Sequence, residues 1–346
     1  MIDKKYMFGF ILIFYVMIAN PTLMIESVKK SLFVCYSSVI PSLYIFMVFS
    51  SYFSQKSFMN VISKPFNFYG RLLKIEDKKY SVYLLLSLFG GFAIGAKFLN
   101  LLKSKSYSKN SLYAIAPSLI NNSFSFVVYA VGVGMFGSFR LGILLFISLI
   151  SASLITSFIL SFIFKYDIVQ SKVENVKLNK TIVECINDSV NSVLSICGFV
   201  ILSFYICEVV VLYSQKLGFQ GSLLCPFIEV TTGCIKMIED IGKNPLLICG
   251  SLSLVPLSTL SQVSFFFKDN SILKPLIFSR IIHTPLSMFI FSLMIKIFPV
   301  SDIVNSTEII AVDAFYNTME ISSVLFILTV VFLIIFDNNK IFTKIK

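Results

Sequence analysis

Apolar residues along this chain come in long runs broken by short polar stretches, rather than in the alternation of a half-buried strand or the stripe of a soluble helix. A helix needs roughly 20 such residues to cross about 30 Å of hydrocarbon. The pattern predicts membrane segments at about 6–24, 28–53, 80–102, 112–136, 139–164, 183–213, 245–267, 275–298 and 320–336. Two further stretches, 58–75 and 221–242, are only moderately apolar and contain Pro and Gly. They read as interfacial helices or re-entrant hairpins, which are tolerated where the backbone is buried in protein or lines a cavity. The expected fold is all-α, a polytopic membrane bundle of about eight to ten segments.

Composition supports this reading. Of 346 residues, 56% are hydrophobic and 14% charged, against about 25% charged in soluble domains, and the mean hydropathy is +0.86. That much apolar surface does not fit inside one water-soluble core, so a soluble enzyme is excluded. The net charge of +11 comes from short basic clusters between apolar runs, such as Lys103, Lys105 and Lys109, or Lys165, Lys172, Lys177 and Lys180. Such clusters mark cytoplasmic loops. They form no basic patch on a soluble face, so nucleic acid is not expected as a partner; the lipid bilayer is. The loop from Ser301 to Glu320 is acidic and is expected on the outside. Lys4 and Lys5 followed by Tyr6 to Ala19 resemble a signal peptide, but no Ala-x-Ala site follows, and a retained first transmembrane helix is expected.

The seven cysteines form no CxxC pair and lie mostly in apolar runs, far in sequence from the only histidine, His283. No metal site, disulfide framework or cofactor is expected. HExxH, Walker and GxSxG motifs are absent, so the chain is not read as an enzyme or as an ATP-driven pump on its own.

Comparing the halves gives an organisational signal. Ser27-Val28, Leu32 and Cys35 recur as Ser189-Val190, Leu194 and Cys197; Pro65-Phe66 recurs as Pro226-Phe227; Gly70 with Glu76-Asp77 recurs as Gly233 with Glu239-Asp240. Three matches in order at nearly one offset predict a tandem duplication. The expected organisation is an N-terminal transmembrane helix (1–26), a first repeat (27–166), a second repeat (167–300), and the acidic loop with a C-terminal transmembrane helix (301–346). Secondary transporters are commonly built so, with the site at the repeat interface. The copies are parallel if each contains an even number of crossings and inverted if odd. The Lys-rich stretch 56–79 reads as cytoplasmic and makes 80–102 re-entrant, whereas 245–267 reads as spanning, so the topology stays open.

Candidate site residues follow from what is costly in a membrane. Gly90, Gly91 and Gly95 weaken a helix; a break there exposes amides and a helix start, which favour an anion, and Lys97 adds charge. The alternative is small-residue packing with Lys97 snorkelling. In the second half, Pro256 can break a helix, and Gln262 offers a donor and an acceptor, either to a ligand or to a neighbouring helix. Arg280, His283 and Thr284 share one helical face. At the repeat offset, His283 and Thr284 correspond to Asn121 and Asn122, which places a polar pair at the same point of each half. Glu208 is the candidate coupling carboxylate, with Lys97 or Arg280 as partner, or else a helix-end acid; Glu229 is the weaker acid.

Together these stretches resemble a known family. Ile40-Pro41-Ser42-Leu43, Gly90 to Lys97, Val131 to Gly137 and Ser195 to Val200 are similar to segments of the sporulation integral membrane proteins of the YlbJ (SpoVV) type. That family belongs to the group with a nucleoside-recognition, or Gate, domain. Leu260 to Val263 and Ser279 to His283 look like its second-half counterpart, and the likeness runs over roughly residues 25 to 300. Ala93 stands where that family has proline, and the polar residues expected after Ala116-Pro117 are only partly matched by Ser118 to Ser125. The resemblance implies two Gate-like repeats and a role in spore formation. It implies movement of dipicolinate, a small aromatic dianion, across the outer forespore membrane of a bacterial cell. Gly-rich amides with Lys97 and Arg280 would take the carboxylates, and Asn121, Asn122, Gln262 and His283 would add hydrogen bonds. The alternatives kept open are a nucleoside-type carrier coupled to H⁺ or Na⁺, and a structural protein working as a homo-oligomer or with sporulation membrane partners.

Overall fold

The computed structural model describes residues 14–15, 17–54, 59–75, 77–104, 107–165, 180–267 and 270–300. The expected segment 320–336, the acidic loop and most of the expected N-terminal helix lie outside these residues. Regular structure in the described part is helical throughout. In order it comprises α1 (Pro21–Val34), a π-helical turn (Cys35–Val39), α2 (Ile40–Phe53), α3 (Met59–Ile62), α4 (Lys64–Leu72), α5 (Lys78–Ser104) and α6 (Lys109–Leu119). There follow a π-helix (Phe126–Met135), α7 (Phe139–Ile163), α8 (Ile182–Lys216), a 3-10 turn (Gly221–Leu224), α9 (Cys225–Ile228) and α10 (Val230–Ile241). The described part ends with α11 (Pro245–Ser253), α12 (Leu257–Phe267), a short turn (Asn270–Ile272) and α13 (Leu273–Ile297).

Five helical stretches are long and apolar enough to cross a membrane: Lys79–Ser104, Phe139–Ile163, Ile182–Lys216, Pro245–Phe267 and Asn270–Ile297. A sixth results if Pro21–Val39 and Leu43–Phe53, bent by 48°, count as one span. The protein is therefore a multi-span helical membrane protein, with five to six candidate spans among the described residues. Exposed Phe, Leu and Ile side chains on α1, α8, α12 and α13 belong against lipid, where they cost nothing.

Two segments fold back on themselves, the first of them Lys79–Ser104, which by length and composition alone could cross. In α5, Gly91 has φ 69° and ψ −166°, a conformation open essentially only to glycine. The rings of Tyr83 and Phe98, on either side of it, stack with centroids 4.5 Å apart; in a straight helix, 15 residues would separate them by about 22 Å. At the base of this hairpin the Tyr107 hydroxyl donates to Asp77 Oδ2 at 3.4 Å. Burial and that carboxylate together push the Tyr107 phenol up. Residues 221–241 form the second hairpin. Ser222 Oγ meets Asp240 Oδ2 at 2.5 Å, and Gly233 packs so tightly on Pro226 that a Cβ would lie 2.5 Å from its Cα. Of the stretches 58–75 and 221–242, expected as interfacial or re-entrant, the second folds back and the first forms the short helices α3 and α4, while 80–102, left open by the sequence, folds back at Gly91.

The hairpins approach from opposite ends. Near the start of the 35-residue α8, Ser192 Oγ accepts from Lys97 Nζ on the outgoing limb of the first hairpin at 2.6 Å. Near its end, Cys207 and Ser214 lie against Cys225 and Gly221 of the second. Between the hairpins run two broken helices. Residues 112–136, expected as one continuous span, are α6 and the π-helix, separated at 120–123. They run antiparallel along all of α7, through Tyr113 to Phe164, Asn121 to Ser153, Phe124 to Phe146 and Gly132 to Gly142. The carbonyls freed at the break are taken up by side chains, Asn121 Nδ2 donating to Pro117 O and Ser118 O. Helices α11 and α12 are separated at Leu254 to Pro256, Leu254 being extended at ψ 168°, as the residues before a proline prefer.

Candidate functional site

The tips of both hairpins and the first helix break meet, beside α12, at one central cavity. Its walls are Gly90, Gly91, Phe92 and Ala93 of the first hairpin; Asn122 and Ser123 of the first break; Glu229, Val230 and Thr231 of the second hairpin; and Thr259 and Gln262 of α12. Val39, Leu43, Ile196 and Val200 close it with apolar surface. The cavity itself is small, about 40 Å³.

Three helix starts line this space: the outgoing limb of α5 after Gly91, the helix that begins at Ser123, and α10 at Val230, while α12 contributes Thr259 and Gln262. Each presents the positive end of its backbone dipole. Two are capped from within, Ser123 Oγ accepting from Phe126 N at 3.2 Å and the Glu229 carboxylate accepting from Thr231 N at 2.9 Å and Thr232 N at 2.6 Å. Asn122 Oδ1, Thr259 Oγ1 and Gln262 Oε1 are buried without a hydrogen-bond partner, and Glu229 has no ion-pair partner among the described residues.

The carbonyl ends of the broken helices are held next door. A smaller cavity shares Phe92 and Asn122 with the first and is lined by Asn121, Leu252, Arg280 and His283 among others. Arg280 Nη2 donates to the Ile120 carbonyl, at the end of α6, at 2.8 Å. Asn122 Nδ2 donates to Leu252 O, at the end of α11, at 2.5 Å. His283 Nδ1 lies 3.0 Å from both Arg280 Nη1 and Ser253 O, and Nε2 lies 3.1 Å from Leu149 O. With the proton on Nε2, the ring donates to Leu149 and accepts from Arg280. Asn121 Nδ2 is taken up by Pro117 O, Ser118 O and Ser153 Oγ.

The ten residues singled out from the sequence thus divide. Gly90, Gly91, Asn122 and Gln262 line the central cavity. Asn121, Arg280 and His283 come together beside it, engaged with backbone. Gly95 packs against α6, where a Cβ would lie 1.9 Å from Leu119 O. Lys97 is not among the lining residues; it donates to Ser192 and sits over the Phe266 ring, 5.0 Å from its centroid. Glu208 pairs with neither Lys97 nor Arg280, but with Lys236 at 2.7 Å and Lys30 at 3.9 Å. Sequence reasoning underweighted Glu229 and passed over Thr259 and Ser123. The signal for Glu229 was an acid directly before a short helical run, an N-cap pattern, in a stretch already suspected of being re-entrant.

Comparison with protein families, with curated proteins and with solved structures returns no match. What fold and site define is a class: a multi-pass α-helical membrane protein with folded-back hairpins and broken helices around a central cavity.

Proposed function

We propose that this protein is a membrane transporter or facilitator of a small organic anion, moved by alternating access at the central cavity between two halves of the chain. The observation that carries the reading is the convergence of three helix starts on one cavity with unpartnered polar side chains. Half-helix starts aimed at a midplane cavity are how secondary transporters receive anionic groups without a fixed cation.

The order of elements supports two inverted halves. A long helix or bent pair (α1–α2; α8), a re-entrant hairpin (α5; 221–241), a broken helix (α6 with the π-helix; α11–α12) and an unbroken span (α7; α13) occur twice. Three crossings per half is odd, and the hairpins enter from opposite ends. The first helices meet where Cys35 Sγ lies 3.9 Å from Cys197 O, the pair matched in sequence. Helices α3 and α4 have no counterpart in the second half, so one constant offset does not relate all corresponding elements.

Dipicolinate is the first candidate solute, on the resemblance to the sporulation membrane proteins, and the outer forespore membrane is the corresponding location. A nucleoside-like neutral solute is the second reading, favoured by the acceptor oxygens of Glu229 and Gln262. The test is uptake of labelled dipicolinate into proteoliposomes holding the purified chain, with unlabelled dipicolinate or uridine as competitor. Saturable uptake, blocked by dipicolinate and reduced at least tenfold in Gln262→Leu, is expected. Competition by uridine alone would move the reading to nucleosides. Absence of uptake of either solute by folded protein would leave a structural role.

A further inference from the structure

The helix starts at the cavity favour an anion, yet the cavity already holds one. Glu229 is 3% exposed, its two oxygens accept the Thr231 and Thr232 amides, and no cation pairs with it among the described residues. Among the residues lining the same cavity are Asn122, Thr259 and Gln262, 8%, 1% and 3% exposed, whose Oδ1, Oγ1 and Oε1 are buried without a partner. A buried carboxylate and three buried oxygens that lack partners are costly unless something positive sits among them. A single proton on Glu229 satisfies one of these acceptors and leaves the others. An alkali cation is coordinated by several oxygens at once, and carboxylate, amide and hydroxyl oxygens are the donor types that hard cations take.

We propose that Glu229, Asn122, Thr259 and Gln262 form a sodium site, and that sodium bound there is co-transported with the organic anion. This rests on the transport reading for its role, though not for its existence as a binding site. The site joins the tip of the second hairpin, the first helix break and α12. A cation there ties together the elements that must separate for alternating access. It also cancels the repulsion between Glu229 and an entering carboxylate, so each ligand raises the affinity of the other by the same factor.

The test is equilibrium binding of radioactive sodium to the purified full-length chain in nanodiscs, with no organic solute present. Saturable binding is expected, displaced by unlabelled sodium but not by potassium. It should weaken at least tenfold in Glu229→Gln and several-fold in Thr259→Val, which keeps the side-chain volume if Glu229→Gln fails to fold. Absence of saturable binding by folded wild type would overturn the proposal, as would unchanged affinity in both variants. Dipicolinate uptake that is driven by a proton gradient and indifferent to sodium would overturn it while leaving the transporter reading intact. Sodium binding with no solute uptake would instead overturn the transporter reading alone.

Discussion

At the scale of single residues, the glycine run of the first hairpin divides into two jobs that the sequence alone did not separate. Gly91 carries the fold-back through its backbone. An Ala there adds about 1–3 kcal/mol of strain, with its Cβ 3.3 Å from Ser123. Gly95 carries a contact, and an added methyl meets Leu119 O, an overpacking cost of about 1–3 kcal/mol or more. Gly91→Ala is therefore expected to insert but lose most uptake, because the cavity wall moves. Gly95→Ala is expected to lower the melting temperature in detergent markedly. Gly198, in α8, is the control, because a methyl added there would meet nothing within 4 Å. Gly198→Ala should be neutral or stabilise by up to about 1 kcal/mol. A melting curve and an uptake rate for each variant separate the three outcomes.

At the scale of elements, charged side chains hold broken pieces together. Arg280 on α13 ties down the carbonyl end of α6. Arg280→Gln leaves a buried carbonyl and the His283 ring short of a partner, at a cost of about 1–3 kcal/mol. The expected signature is a lower melting temperature with the solute KM little changed in the surviving protein; a large rise in KM with normal stability would mean that Arg280 touches solute. Glu208 and Lys236 join α8 to the second hairpin at 2.7 Å, with side chains 13% and 8% exposed. Losing one partner of such a pair costs about 3–5 kcal/mol, softened here because Lys236 also binds Glu239 at 2.8 Å. Glu208→Gln should therefore destabilise, and Glu208→Gln with Lys236→Met should recover part of the loss. The sodium dependence of uptake should be unaffected in both.

At the scale of the whole molecule, sidedness follows from charge. The end where the first hairpin opens carries Lys78, Lys79, Lys103, Lys109, Lys165, Lys180 and Lys274, whereas the other end carries Arg140, Lys216, Lys243 and Lys296. The positive-inside rule assigns the first end to the cytoplasm. Single cysteines at Lys109 and at Lys243, in a background without the seven natural cysteines, should label from opposite sides of intact cells, Lys243 from outside. Labelling of both from one side would remove the inverted arrangement. The apolar faces pointing away from the bundle need no partner beyond lipid.

Membrane class and helical content were legible in the chain because transfer into hydrocarbon is additive along a run and needs no knowledge of neighbours. Gly91 and Pro256 marked where backbone would bend, since glycine and proline act locally, whereas the break at 120–123 was not marked. The direction of each bend was not legible: Tyr83 stacks on Phe98, and Gly233 on Pro226, only once the chain has turned. Nor could the sequence tell which polar residues face the cavity. Arg280 and Lys97 have the charge for an anion, yet the fold commits them to Ile120 and Ser192. Glu229, Thr259 and Gln262 reach the cavity because two hairpins and two broken helices converge from distant parts of the chain. Burial of a polar atom depends on what packs over it in three dimensions, and that was decided by the tertiary structure alone.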